Sequence, residues 1–417
     1  MVVLLILVVG LGHFNRIAIT VAGAEHIIPE NGINGLQMGQ VYSAFLLFYM
    51  LAMVPAGWLI DRWGARVTLV VLCFGSALFV AGTSAVGFFS QSAVSLWMGL
   101  IAVRSLMGLV NAPLHPAAAH MVFAHVPTKA KSLANGLVTF AACAGISATY
   151  YGFGALIDRF GWPSAFFVTA WMTLVVALCW TWGTRGLRPL VEAGATEGPM
   201  DLAAFPDRQE HRTGSVLLRP GVICLTLSYA ALGYFQYMFF YWIQYYIGTV
   251  RHLGTDVSRQ YSTLITLTMG IGMIFGGWLA DRVSGSVAGR ARRGLVPGLG
   301  MIASGLVFEF GVLSSDSHVM MAAFTLSAGL LGMCEAAFWT TIVELGTPRG
   351  GLAAGLMNMG GNAGGLLSPV ATPFLSEAFG NFYGESIGWR ASLGVAGAIP
   401  VLGALLWLGV KSRTDAE

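Results

Sequence analysis

Long apolar runs separated by short polar breaks fill most of the 417 residues. Crossing about 30 Å of hydrocarbon takes roughly 20 residues of helix. Runs of that length fall near residues 2–23, 38–60, 67–89, 94–122, 130–157, 162–184, 218–247, 260–280, 294–313, 318–343, 351–376 and 388–410, which predicts twelve membrane-spanning helices. A single long polar stretch, 185–217, contains EAGATEGPMD and PDRQEHRTG and lacks the apolar content of a folded unit. The chain therefore divides into a six-helix bundle over 1–184, a linker over 185–217 and a second six-helix bundle over 218–417.

Composition agrees with this reading. Hydrophobic residues make up 56% and charged residues only 10% of the chain, against about 25% charged in soluble domains. The fold class expected is an all-α integral membrane protein embedded in a lipid bilayer. A net charge of +3 with no basic stripe argues against a nucleic-acid partner. Cys73, Cys143, Cys179, Cys224 and Cys334 lie far apart in apolar segments without a CxxC pair, and read as buried free thiols with neither disulfide nor metal.

Orientation follows from Lys and Arg counted over short loops. About sixteen lie on the side that carries the linker and about four, Arg159, Arg251, Arg259 and Arg390, on the other. That places the linker and both termini in the cytoplasm. Ala22-Gly23-Ala24 resembles a signal-peptide cleavage site, but there is no basic n-region and Asn15-Arg16 interrupts the run. The lack of a cytoplasmic tail before Val2 points to a recorded start that is late.

The two halves repeat each other. GWLIDR at Gly57 to Arg62 returns as GWLADR at Gly277 to Arg282, an offset of 220; GWPSAFFVTAWMTLVVALCW at Gly161 to Trp180 is echoed from Gly388 to Trp407; and Ala134-Asn135-Gly136-Leu137 corresponds to Ala353-Ala354-Gly355-Leu356. Copies in the same order and orientation are the parallel-repeat plan of transporters whose substrate site lies at midplane between halves. Charged pairs are expensive in hydrocarbon, so each Asp-Arg belongs at the membrane surface.

These features resemble the major facilitator superfamily, whose loop between helices 2 and 3 carries G-x-L-x-D-R-x-G-x-R, here Gly57 to Arg66. Within it the chain is similar to the anion:cation symporter branch, which includes sugar-acid importers and the vesicular glutamate and sialic acid carriers. The narrower match rests on Asn15-Arg16, SAFLLFY at Ser43 to Tyr49, Arg104 through Asn111-Ala112-Pro113, YWIQYYI in helix 7, and Asn358-x-x-Gly361-Asn362-x-Gly364 ahead of Pro369. The resemblance implies the major facilitator fold, alternating access, and cavity-facing roles for Tyr49, Asn358 and Asn362. It also implies that Asp61, Arg62, Asp281 and Arg282 latch the cytoplasmic gate in the outward-facing state. One departure matters: where sugar-acid importers place proton-carrying acids, this chain has Asn15 and Asn111, which do not titrate.

The candidate substrate-binding residues are Arg16, Tyr49, Arg104, Asn111, Tyr237, Tyr241, Gln244, Asn358 and Asn362. His13, Arg16 and Thr20 share a face of helix 1; Arg104, Gly108, Asn111 and His115 share one in helix 4. Gly108 permits close approach of a ligand or a backbone. The N-terminal half has no mid-span acid to pair with the two arginines, since Glu25, Glu30, Asp61 and Asp158 map to loops or helix ends. An anionic substrate, held through the guanidinium fork, is the simplest source of the missing charge. The alternative for each arginine is hydrogen bonding to carbonyls or helix ends. Tyr234, Tyr237, Tyr241 and Tyr245 form a stripe suited to a sugar-like acid or to interhelical packing. Coupling candidates are Glu335, the counterpart of Asn111 at an offset of 224, and His13 and His115; Glu309 is the other mid-span acid.

The expected function is secondary transport of an organic anion, a sugar acid or small carboxylate, across the cytoplasmic membrane by a monomer. No cofactor is expected, only a proton or sodium gradient, or exchange. Efflux of amphiphilic compounds by proton antiport and a non-transporting sensor are the alternatives; no nucleophile with a base or metal-ligand cluster supports an enzyme.

Overall fold

The computed structural model describes residues 1–187, 218–284, 294–346 and 350–410, without the side chains of 128, 129, 132, 280, 281, 283 and 284. The proposed linker over 185–217 thus lies almost wholly outside the described residues.

Twelve long helices run through the described chain. They are α1 (Val2–Glu30), α2 (Gly35–Trp63), α3 (Ala65–Phe89), α4 (Ala93–His125), α5 (Thr128–Phe160), α6 (Trp162–Gly183), α7 (Pro220–Val250), α8 (Thr255–Ser284), α9 (Leu295–Leu313), α10 (Ser317–Leu345), α11 (Gly350–Tyr383) and α12 (Glu385–Gly409). All but α11 are long and apolar enough by composition to cross a membrane. The exception spans 34 residues, but its glycines, three asparagines and two internal prolines dilute its hydropathy.

Local chemistry sets several ends. Asn34 with Gln37 and Ser92 with Ser95 form capping boxes at the starts of α2 and α4, and the Asp316 carboxylate accepts from His318 and Val319 at the start of α10. Gly64, the glycine of the repeated turn, has φ 79°, a conformation that L side chains rarely adopt, so α2 can turn directly into α3. Arg66 in the same turn donates to Thr184 Oγ1 at 3.0 Å and to the Thr181 carbonyl at 3.3 Å, a cation at the C-terminal end of α6.

α1 departs from its predicted end near residue 23. It continues through a π turn at Gly23–Ile27 to Glu30, because Glu25 is paired rather than left facing hydrocarbon. Glu25 thus sits at a helix end, as expected of it, but on a helix that runs on to Glu30 and with its side chain only 8% exposed.

The packing repeats with a shift of six helices. α1 packs on α5, α2 on α4 and α3 on α6; likewise α7 packs on α11, α8 on α10 and α9 on α12. The two sets of six meet mainly through α2 against α11 and α5 against α8. Large side chains such as Leu78, Phe88, Trp171, Leu306 and Phe310 point outward and are mostly exposed, the surface a bilayer covers. Cys73, Cys143 and Cys334 are buried, but Cys179 is exposed on that outer surface and Cys224 is half-buried, which corrects the expectation that all five are buried; all are free thiols.

Candidate functional site

Arg16 stands between the two sets of six helices. Its guanidinium donates to the Tyr237 hydroxyl of α7 at 2.5 Å and lies 4.9 to 5.4 Å from the ring centres of Phe45, Tyr49 and Tyr237. Tyr241 stacks between Tyr42 and Tyr237, beside Arg16. The arginine Nε is buried with no hydrogen-bond partner, and among the described residues no carboxylate lies within salt-bridge distance of it. Ring faces attract a cation by about 0.5 to 2 kcal/mol each, so the cage holds the charge without neutralising it.

A narrow pocket opens beside this arginine, lined by Gly12, His13, Arg16, Phe45, Tyr49, Asn111, Leu114 and His115. The face predicted for α1 and the one predicted for α4 thus meet. α4 reaches the pocket because it is interrupted at Ala112-Pro113 before resuming at Leu114. It lies close to α2 because a Cβ at Gly108 would fall 2.3 Å from the Phe45 carbonyl oxygen; the close approach is made by backbone.

Several predicted ligands are placed otherwise. Arg104 is fully buried, donating to the Arg16 carbonyl at 2.6 Å, the Asn15 carbonyl at 3.4 Å and the Met107 sulfur at 3.2 Å. Of the two readings open for it, carbonyl binding is the one seen, and it positions helix α1 around Arg16 rather than lining the pocket. Asn15 turns away to donate to Thr173 Oγ1 at 2.7 Å. Asn111 does line the pocket, with its amide held by the Met107 carbonyl and by Ser76 Oγ, which donates to it. Gln244 is not in the pocket at all: it donates to Glu25 at 2.8 Å, near the end of α7. Asn362 donates to the carbonyl of Asn358 at 2.9 Å, and Tyr245 packs edge-on against Trp242 and at a tilt against Trp389 within its own half.

Glu335 accepts from the Tyr229 hydroxyl at 2.5 Å and from the Trp339 indole at 2.9 Å. It belongs to the second half and does not line the Arg16 pocket. Glu309 faces α12, where a Cβ on Gly397 would meet its Oε1 at 2.4 Å.

The halves are fastened at the end away from the repeated turns. Arg259 on α8 reaches across to α1 and α5, donating from Nε and a terminal nitrogen to the Glu25 carboxylate at 2.8 and 2.6 Å and with both terminal nitrogens to Asp158 at 2.6 and 2.8 Å. The Arg259 and Glu25 side chains are only 5% and 8% exposed, so that arm of the fork is buried, whereas Asp158 is 59% exposed. Below it, Ser43 donates to the Leu366 carbonyl at 2.7 Å, and a Cβ on Gly39 would lie 2.1 Å from the Pro369 carbonyl oxygen. At the opposite end Asp61, Arg62 and Arg282 are exposed, with the two arginines stacked on Trp58 and Trp278 of their own helices. The side chain of Asp281 lies outside the described residues.

Sequence reading missed Arg259, Glu25 and Asp158 as a unit and the aromatic partners Phe45 and Tyr42. The signal for the first was present: Arg259 opens α8 and the two acids close their helices, all on the side poor in basic residues.

Two six-helix units related by a repeat, meeting around a caged arginine at their boundary, have the architecture of membrane transporters built from parallel repeats. Residues 5–369 match the Major Facilitator Superfamily model, and the chain belongs to that family. It is a multi-pass membrane transporter, not an enzyme. Among similar proteins, the D-galactonate transporter of Escherichia coli O6:H1 is 24% identical, covering 97% of this chain and 94% of its own. The probable galactarate/D-glucarate transporter of Escherichia coli K12 is 24% identical over 100% and 94%, and the hexuronate transporter of Bacillus subtilis 23% over 98% and 94%. Among solved structures, a bacterial homologue of the lysosomal transporter Spinster, inward-facing and unoccupied, superposes with a TM-score of 0.76 at 17% identity, covering 99% of this chain and 98% of that one. The D-xylose-proton symporter gives 0.72 at 13% identity, over 100% and 99%.

Proposed function

We propose that this chain is a secondary active transporter of an organic anion, a sugar acid or small carboxylate, in the cytoplasmic membrane. The observation that carries the reading is Arg16: a permanent cation at the boundary of the two halves, caged by rings and one hydroxyl, with an unpartnered Nε and no carboxylate beside it. A carboxylate ligand supplies the charge that this environment lacks, and the planar guanidinium receives it through two parallel hydrogen bonds. Tyr49, Tyr237, Tyr241 and Asn111 then offer hydroxyl and amide groups to a polyhydroxylated chain, while Arg104 holds the α1 backbone in register. Relatives named for galactonate, galactarate, glucarate and hexuronate support the same class of cargo.

The excess of Lys and Arg around the repeated turns orients that end, and both termini, toward the cytoplasm. The conformation is then inward-facing, with the Arg259 fork closing the outer gate and the latch residues Asp61, Arg62 and Arg282 disengaged. Transport follows from exchanging one closed end for the other around Arg16.

Uptake of radiolabelled D-galactonate, D-glucarate and D-glucuronate into proteoliposomes tests the reading. Wild-type protein should accumulate at least one of them, Arg16→Ala should take up none, and Arg16→Lys, a point charge without the fork, should retain a small fraction. Size-exclusion profiles of the variants should match the wild type. Wild-type rates in a folded Arg16→Ala overturn the anion-site reading.

A further inference from the structure

We propose that His13 and His115 form a single shared-proton site that couples proton movement to anion binding at Arg16. This rests on the anion reading above, and its test separates the two. His13 on α1 and His115 on α4 bring their Nε2 atoms to 3.4 Å, with rings edge to face at centroids 5.1 Å apart. His13 Nδ1 lies 3.0 Å from the Val9 carbonyl, which only accepts, so Nδ1 carries the hydrogen. In neutral His13 the Nε2 lone pair is therefore free, and the proton between the rings belongs to His115. One basic position is left, His115 Nδ1. A proton arriving there makes an imidazolium whose Nε2–H still donates to His13, so the two rings hold one added charge between them.

The surroundings give that charge its meaning. His13 and His115 line the same pocket as Arg16, which sits one turn along α1 from His13. Arg16 is the fixed charge in that lining, which contains no carboxylate. Other titratable groups on the packed helices include Tyr42 and Tyr49 on α2, Cys73 on α3, His120 on α4, Cys143 and Tyr150 on α5, and Tyr237 and Tyr241 on α7. Arg104 on α4 is committed to α1 carbonyls, and α6 carries no Asp, Glu, Lys, Arg or His. With Arg16 unneutralised, a proton on the pair is a second positive charge in one small pocket and is repelled. An anion on Arg16 removes that repulsion. By reciprocity the proton strengthens anion binding as much as the anion strengthens proton binding, and a carrier whose two cargoes need each other is a symporter. The proton is taken from water on the side where the anion enters and returns to water on the side where it leaves. Asn15 and Asn111 then need no charge.

Protein labelled with 15N in its imidazoles, in nanodiscs, tests this directly, with the two resonance sets assigned by their loss in His13→Gln and His115→Gln. In the pH titration without anion, Arg16→Gln should shift the transition of the pair upward from the wild-type position; an unmoved transition overturns the proposal without reference to any substrate. D-Galactonate binding to wild type should take up about one proton per anion in weak buffer, with affinity rising up to about 10-fold per unit fall in pH through the transition. In His115→Gln that pH dependence should disappear, and binding without proton uptake by wild type refutes the coupling. If D-galactonate, D-glucarate and D-glucuronate all fail to bind wild type, the anion reading fails, while the Arg16→Gln titration still decides the histidine site.

Discussion

Replacing Arg259 by alanine should open the gate that this structure holds closed. The guanidinium makes two hydrogen bonds to Glu25 and two to Asp158, all between 2.6 and 2.8 Å. The Asp158 arm is exposed, and exposed pairs contribute about 0 to 1 kcal/mol. The Glu25 arm is buried, and removing one partner of a buried pair costs about 3 to 5 kcal/mol, since the other charge is left uncompensated. Glu25 regains water when the halves part at this end, so the cost falls on the closed form. Taking about 3 kcal/mol as the difference, the closed-to-open ratio should fall by about 150-fold. Spin labels at Phe160→Cys on α5 and Thr255→Cys on α8, both exposed positions flanking the fork, in a background lacking the five native cysteines, read this as a shift of the distance distribution to longer values. Glu25→Gln should move the same distribution in the same direction by a smaller amount, because Arg259 keeps Asp158. An Arg259→Ala distribution superimposable on wild type would refute the assignment of this fork as the gate.

Gly39→Val should lower transport and shift the same labels apart, because its first carbon has no room against the Pro369 carbonyl; a normal distribution and rate would mean that the α2–α11 contact is not part of closure. Arg104→Met should lower the melting temperature along with uptake, as helix α1 loses two carbonyl contacts that are each worth about 1.5 to 3 kcal/mol when made to a charged donor. An unchanged melting temperature with lost anion affinity would return Arg104 to the substrate. Glu335→Gln should retain pH-driven accumulation, since its carboxylate is satisfied by Tyr229 and Trp339 away from the Arg16 pocket; loss of accumulation with intact binding would move the coupling there.

The fold was legible because a membrane leaves few options: apolar runs of fixed length must be helices, and a repeated turn announces a repeated bundle. The site was legible at Arg16, where cost in hydrocarbon singles out a residue regardless of its neighbours. It was not legible at Arg104 or Gln244. A helical face identifies what points the same way, not whether a carbonyl or an acid across the interface will claim the group first. For Arg104 the competitor was the backbone of α1, and for Gln244 it was Glu25, whose burial in a π turn no spacing announces. The Arg259 fork joins residues 25, 158 and 259, which only the packing of α1, α5 and α8 brings together.

Arg16 connects the site to the motion. Its partner Tyr237 belongs to the opposite half, so this hydrogen bond is one the two halves make with each other rather than within themselves. An anion that takes the guanidinium fork displaces that hydroxyl and replaces a neutral contact between halves with a charged one, which draws Tyr237, Tyr241 and their helix α7 onto the ligand instead of onto α1. The same α7 carries Gln244, which donates to Glu25 beside Arg259. Occupancy at Arg16 and closure at the fork thus act on one stretch of one helix, since Tyr237 and Gln244 lie seven residues apart, about two turns, toward the C-terminal end of Pro220–Val250. A packed helix transmits displacement rather than absorbing it, and a ligand changes the balance of two states only by contacting them differently. Charge at the pocket, one shared helix and a buried ion pair about two turns along it supply that difference with no element beyond those present.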